Sequence, residues 1–274
     1  MPRANGTVFA VTVTLCLLVL PLSSFAQDRQ RERGSILLGA FVTDRDTSAR
    51  LDSDTGGGAG SDIDLEDDLG LESSTSVFRF GGYYWIKPRQ RVDFSIFDLS
   101  RDASRTIQET IDFGDETFAI NTVVTTSNDT TITKVDYTFA PLNKQRGFLG
   151  VIFGLYVSAN KLTLSQPTLG TRESEDLTAP LPVLGLRGEY EVTERITLRG
   201  AAQWFGIDTG DVGGRLVDTY VGGDYSFGQR FALGLAYNDV ALKVDATDDT
   251  GWNGELDWGY DGILLYFKTD FGRK

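Results

Sequence analysis

From residue 34 onward the chain divides into ten segments of period-two hydrophobicity, and the connections between them are sorted by length. The segments are 34–43, 74–86, 91–103, 130–141, 147–160, 180–191, 196–207, 215–226, 230–245 and 256–271. Alternation of apolar and polar residues, rich in β-branched and aromatic types, is the mark of a strand. The nine connections run about 30, 4, 26, 5, 19, 4, 7, 3 and 10 residues, long and short in turn. In an antiparallel meander every other turn falls at the same edge. The sorting therefore predicts an all-β, up-and-down antiparallel barrel of about ten strands, with eight or twelve as the alternatives. Tight turns and both termini lie at one rim and long loops at the other.

Each strand has one apolar face and one charged face. Val92, Phe94 and Ile96 oppose Arg91, Asp93 and Ser95; Val135, Tyr137 and Phe139 oppose Lys134, Asp136 and Thr138. Alternation is symmetric to inversion, so it does not by itself separate a soluble barrel with an apolar interior from a membrane barrel with an apolar exterior. Three features favour the membrane. Aromatics on the apolar parity flank the short turns: Tyr84, Phe139, Tyr190, Tyr225 and Phe227. A ring of aromatics at one height is an interfacial girdle. The second feature is the start of the chain. Arg3, an apolar run over 8–22 and the exit Ser23-Ser24-Phe25-Ala26 read as a signal peptide cut after Ala26. The single cysteine, Cys16, lies inside it, so the exported chain carries no disulfide. The predicted organisation is a signal peptide over 1–26, a short periplasmic segment over 27–33, a barrel over 34–271 and a polar tail over 272–274.

The third feature is the last strand. Tyr260, Gly262, Leu265, Phe267 and the near-terminal Phe271 resemble the assembly signal of bacterial outer-membrane barrels, although Gly272-Arg273-Lys274 follows the final aromatic. Leu69-Gly70-Leu71, Arg79, Arg91 to Phe94, Asp112-Phe113-Gly114-Asp115 and Pro180-Leu181-Pro182-Val183-Leu184-Gly185 further resemble an uncharacterised group of proteobacterial outer-membrane β-barrel proteins. The resemblance implies a transmembrane barrel in the cell outer membrane. Its implied partners are membrane lipid and lipopolysaccharide, and the barrel-assembly machinery during insertion.

Composition narrows the chemistry. The formal charge of −13 leaves no electrostatic footprint for nucleic acid. There is no histidine in 274 residues. The histidine-dependent chemistries of known barrel enzymes, including the ten-stranded omptin proteases, therefore have no residue to map onto, and no catalytic residue or cofactor is assigned. The expected function is a structural or surface-interaction barrel, with a narrow channel for ions or small solutes as the alternative.

The first long connection, 44–73, is crowded with acids. Asp62, Asp64, Glu66 and Asp68 offer hard oxygen ligands at alternate positions, weak candidates for a divalent cation. They lack the central Gly and terminal Glu of a helix-loop-helix calcium site. The favoured reading is a solvated, self-repelling loop. A second group shares the charged parity: Arg79, Arg91, Asp93, Lys134, Asp136, Arg187, Glu189, Arg199, Asp218, Asp224, Lys268 and Asp270. These line the lumen, either as a salt-bridged plug or as the wall of a polar pore. A barrel of this size encloses little more than its own side chains, which favours the plug. Tyr83, Trp85, Tyr156 and Tyr220 share the inward parity. Trp204, Trp252 and Trp258, near the loop side, are expected at the girdle or rim. Arg187 and Arg199 are expected near Glu189 and Glu191.

Overall fold

The computed structural model describes residues 32–53, 58–168, 170–208, 212–246 and 253–272. The signal peptide, most of the 27–33 segment, Trp252 and the last two residues of the tail lie outside the described residues.

Fourteen strands follow one another without a helix among the described residues. They are β1 (Gly34–Leu51), β2 (Ile63–Asp64), β3 (Ser74–Lys87), β4 (Gln90–Asp98), β5 (Arg101–Thr106), β6 (Ile111–Phe113), β7 (Glu116–Phe118), β8 (Val123–Lys144), β9 (Gly147–Gln166), β10 (Thr171–Glu191), β11 (Ile196–Asp208), β12 (Val212–Phe227), β13 (Phe231–Ala246) and β14 (Gly254–Phe271). Ten of them close a barrel in the order β1, β3, β4, β8, β9, β10, β11, β12, β13, β14, and β14 pairs back onto β1 from Gly34↔Phe271 to Leu51↔Gly254. β5 extends the β4 position along β8, β2 adds a short ladder to β1, and β6 and β7 form a separate hairpin.

The tight connections between β3 and β4, β8 and β9, β10 and β11, and β12 and β13 share a rim with both chain ends, as the sorting of lengths predicts. The opposite rim departs from expectation. The alternation ends β1 at Thr43 and starts β14 at Leu256, yet their ladder runs on to Leu51 and Gly254. β8, β9 and β10 likewise consume much of the predicted loops 104–129 and 161–179. Ser, Thr, Asp and Arg give 44–51 no strong strand signal. The neighbouring strand supplies the hydrogen-bond partners that a local pattern does not reveal.

The outward face carries a continuous apolar belt. Ile36, Leu38 and Val42 on β1 continue into Leu233, Leu235 and Tyr237 on β13 and Ile263, Leu265 and Phe267 on β14, all exposed. Leu235 is 58% exposed, whereas its neighbour Ala236 is 4% exposed. A monomer in water does not tolerate a belt of that extent, and lipid does. Aspartates mark its upper edge on three adjacent strands, because Asp44 lies opposite Asp261 and Asp261 opposite Asp239. At the short-turn rim the aromatics stack: Tyr84 on Phe271 at 6.4 Å, and Phe231 on both Phe227 at 6.4 Å and Phe267 at 5.6 Å.

Candidate functional site: the barrel interior

Period two sends every second side chain inward, and the interior is built in three layers. Nearest the short-turn rim, a polar vestibule of about 160 Å³ lies among Glu32, Trp85, Arg146, Glu194 and Lys268. Above it sits the charged layer. The structure places all twelve lumen-parity charges named from the sequence on the inner wall, and their formal charges cancel, six of each sign.

Adjacent strands bring them into two chains of contacts. In the first, Arg91 bonds Asp93 and Glu189, while Arg187 bonds Asp93 and, at 2.7 Å, Asp136. Arg199 carries the chain onward, 2.7 Å from both Glu189 and Asp224, and Lys268 completes it at 3.0 Å from Asp224 and 3.5 Å from Asp270. In the second chain, Lys134 bonds Asp218, which accepts from Asn238 at 2.8 Å. Asn238 in turn accepts from Arg79 at 2.7 Å, and Arg79 also donates to Ser95 at 2.9 Å. Aromatic rings fill the space beside these groups. Arg91 lies 3.7 Å from the Tyr83 ring centroid, Arg79 4.9 Å from Phe97, and Lys134 5.6 Å from Tyr156. A cavity of about 130 Å³ remains among the charges.

Two expectations are corrected here. Arg187 does not share the glutamates of its own hairpin with Arg199. It reaches across β9 to Asp136 on β8 and Asp93 on β4, two carboxylates that share the inner wall with it. Trp258 is not a rim residue. It is 1% exposed and packs at 5.3 Å against Tyr260 inside the barrel, because the strands continue well above the belt. Trp204 lies on the outward face, and Tyr83, Trp85 and Tyr156 are buried inside.

The third layer goes beyond what the alternation predicts. Above Phe41, Phe97 and Tyr260, whose rings meet edge to face at 5.7 to 5.8 Å, the lumen becomes an apolar core. Ile63, Leu65, Leu69 and Leu71 from the acidic connection and Ile107, Ile111, Phe113 and Phe118 from the next long connection enter it together. The expectation of a solvated 44–73 loop therefore fails for its second half. The signal was present in the sequence: between the acids, Ile63, Leu65, Leu69 and Leu71 recur with a spacing that buries one side.

The acids in this segment build the turn. Asp64 caps it by accepting from the N–H groups of Glu66 at 3.0 Å and Asp67 at 2.7 Å, and Asp68 accepts from the Asp64 N–H at 2.9 Å. Gly70, at φ 74°, ends it with a Leu71 N–H to Leu65 carbonyl bond of 3.0 Å. Asp62 faces Arg50 at 3.5 Å. Glu66 alone of the four candidate metal ligands turns inward, where it bonds Arg101 and accepts from the Thr47 N–H at 3.0 Å. The four thus point different ways, and among the described residues no three carboxylates converge on a cation position. Arg101 also donates to Thr47 Oγ1 at 2.7 Å and to the Glu72 carbonyl at 3.0 Å, and Arg45 donates to the Leu99 carbonyl at 2.9 Å. Burial, with the Arg101 guanidinium beside it, pulls Arg45 down to about 10, against which Glu66 acts as the counter-charge. The last-strand residues divide by parity: Tyr260 and Gly262 face inward, and Leu265, Phe267 and Phe271 face outward.

No family model and no curated protein matches the sequence. Among solved structures, the chain is similar to the outer membrane protease OmpT from Escherichia coli, with a TM-score of 0.57, 12% identity, and coverage of 87% of this chain and 96% of that one. It also matches the translocator domain of the autotransporter NalP from Neisseria meningitidis, with a TM-score of 0.40, 12% identity and coverage of 86% and 89%. A third match is Ail, the attachment invasion locus protein of Yersinia pestis, with a TM-score of 0.37, 8% identity and coverage of 85% and 99%. At 12% identity the OmpT match speaks for the fold. Ten strands, an apolar belt, sorted turns and that match agree on the fold: a closed, up-and-down β-barrel like that of the outer membrane protease.

Proposed function

We propose that the protein resides in the cell outer membrane as a closed, non-conducting barrel. Its role is structural or surface-interactive, and it carries no catalytic chemistry of its own. The observation that supports this reading is the double closure of the lumen, first by twelve mutually compensating charges and then by an apolar core. An ion crossing the barrel would have to displace both. The extension of β1, β8, β9, β10 and β14 above the belt gives a folded, largely acidic head on the long-loop side, which is the surface offered to the outside. The belt supports outer-membrane lipid, with lipopolysaccharide in the outer leaflet, as its surroundings. The last strand, ending at Phe271, is the segment offered to the assembly machinery.

The fold shared with a protease does not bring a protease mechanism with it. A histidine–carboxylate pair cannot be assembled from a chain with no histidine.

Planar-bilayer recording on the purified protein is the test. A closed barrel adds no steady current above the bare membrane. A stable unitary conductance would instead establish the channel reading, and partition into the soluble fraction on cell lysis would remove the membrane assignment.

A further inference from the structure

The barrel wall is split on one side. β10 pairs with β9 over nearly its whole length, from Thr171↔Gln166 to Tyr190↔Gly147. With β11 it pairs only from Glu191↔Thr197 to Leu184↔Trp204. Above that last pair β11 runs on to Asp208 beside β12, and β10 runs on beside β9, without a ladder between them.

Two prolines account for the arrest. The Glu191 N–H donates to the Arg146 carbonyl on the β9 side, and the Val192 N–H donates to the Ile196 carbonyl on the β11 side. Odd residues of β10 thus direct their N–H groups to β9 and even residues to β11. Continuing the register upward would set Pro182 opposite Gly206 and Pro180 opposite Asp208. Both even positions lack the N–H that the next two hydrogen-bonded pairs require. The same parity leaves the β9 ladder intact.

The split opens within the apolar belt. Pro180, Pro182 and Leu184 face outward on one lip, and their β9 partners Val157, Leu155 and Phe153 continue the belt behind them. The belt ends above them at the exposed Lys161–Asp176 pair, 3.2 Å apart. The other lip is Trp204 and Gly206, with Ile207 exposed on the opposite parity. Polar residues begin there with Arg215, the register partner of Gly206. A Cβ built on Gly206 would meet no heavy atom within 4 Å, so the lip is open. Behind the split, Leu181 and Val183 are buried in the apolar upper core, and the wall is backed rather than perforated.

We infer that this split is a seat for one acyl chain of an outer-leaflet lipid. The groove lies at the upper edge of the belt, where hydrocarbon gives way to the polar zone, its lips are proline, tryptophan and leucine, and open space is found at Gly206. In hydrocarbon an unpaired strand edge is costly. The prolines remove the two β10 donors that would otherwise go unsatisfied, and at this edge of the belt the Gly206 backbone can reach water. The inference rests on the membrane assignment but not on the closed lumen.

The test uses the full protein in bilayer nanodiscs of phosphatidylethanolamine and phosphatidylglycerol doped with a phospholipid carrying a diazirine in its acyl chain. After photolysis, adducts should concentrate on the segments 180–184 and 204–207 relative to belt positions on the far wall such as Val42 and Ile263. Gly206→Phe, which fills the seat from the outward face, should abolish the enrichment. Pro180→Thr/Pro182→Thr, which restores both donors and lets the ladder close, should do the same. Heat-modifiable gel mobility verifies that each variant is folded, and the second variant serves if the first is not. Adducts spread evenly round the belt, or an enrichment that survives in the folded variants, would overturn the seat. Failure of the protein to enter the nanodiscs at all would instead overturn the membrane assignment.

Discussion

Arg199 on β11 and Asp224 on β12 form a two-point contact, with the guanidinium Nε and Nη2 each 2.7 Å from Asp224 Oδ2, and the carboxylate side chain has no solvent exposure. The same carboxylate receives Lys268 and the Tyr266 hydroxyl, and the same guanidinium reaches Glu189. This pair is where the charged layer is knotted together. Arg199→Ala strips a cation from two buried carboxylates at once. Loss of one partner of a buried pair typically costs about 3–5 kcal/mol. The expected result is a marked fall in the temperature at which the folded gel band is lost. An unchanged transition would mean that water screens these charges and that the lumen is a wet pore.

Glycine at 234 serves the same knot. A Cβ there would overlap the Tyr266 phenol, which lies over Gly234 on its way to Asp224. Gly234→Ala should therefore destabilise by roughly 1–3 kcal/mol, the usual range for overpacking. Gly200→Ala is the control. Its new methyl would come no closer than 3.8 Å to the Tyr220 carbonyl oxygen, and replacing a strand glycine should help by up to roughly 1 kcal/mol. Urea midpoints of the two variants should move in opposite directions.

Leu235 and Ala236 test the inside-out assignment. Leu235→Arg places a charge in the belt and should cost on the order of 2–4 kcal/mol if that position is near mid-membrane. Ala236 faces the lumen, and any larger residue there is limited by space against Gly222. Lipid-phase probes should label cysteines placed at 233 and 235 and not at 236. The reverse labelling pattern would invert the barrel.

The apolar cap should be held by its leucines. Leu65 is completely buried, and Leu65→Ala should cost about 2–5 kcal/mol, concentrated in the segment it anchors. Protease added to whole cells should leave 62–71 uncut in the wild type and cut it in the variant. Equal cutting in both would show that this segment does not dock in the mouth. Cutting at 88–89 or 145–146 in intact cells would place the short turns outside.

The number of barrel strands, the rim at which each turn lies and the face on which Leu235 or Arg199 sits follow from period two and connection length. Those are local properties, repeated along the chain and independent of what the strands touch. The reach of β1 to Leu51 does not follow, because Asp44 to Arg50 become strand only when β14 supplies partners. Trp258 is buried for the same reason: its parity points inward, and the barrel wall continues above the end of the belt. Nor does the pairing of Arg187 with Asp93 and Asp136 follow, since strands distant in sequence are brought across the lumen by curvature that no single segment encodes. Pro180 and Pro182 stand plainly in the sequence. Only the register shows that their missing N–H groups fall on the β11 side, where they stop a ladder instead of breaking a strand.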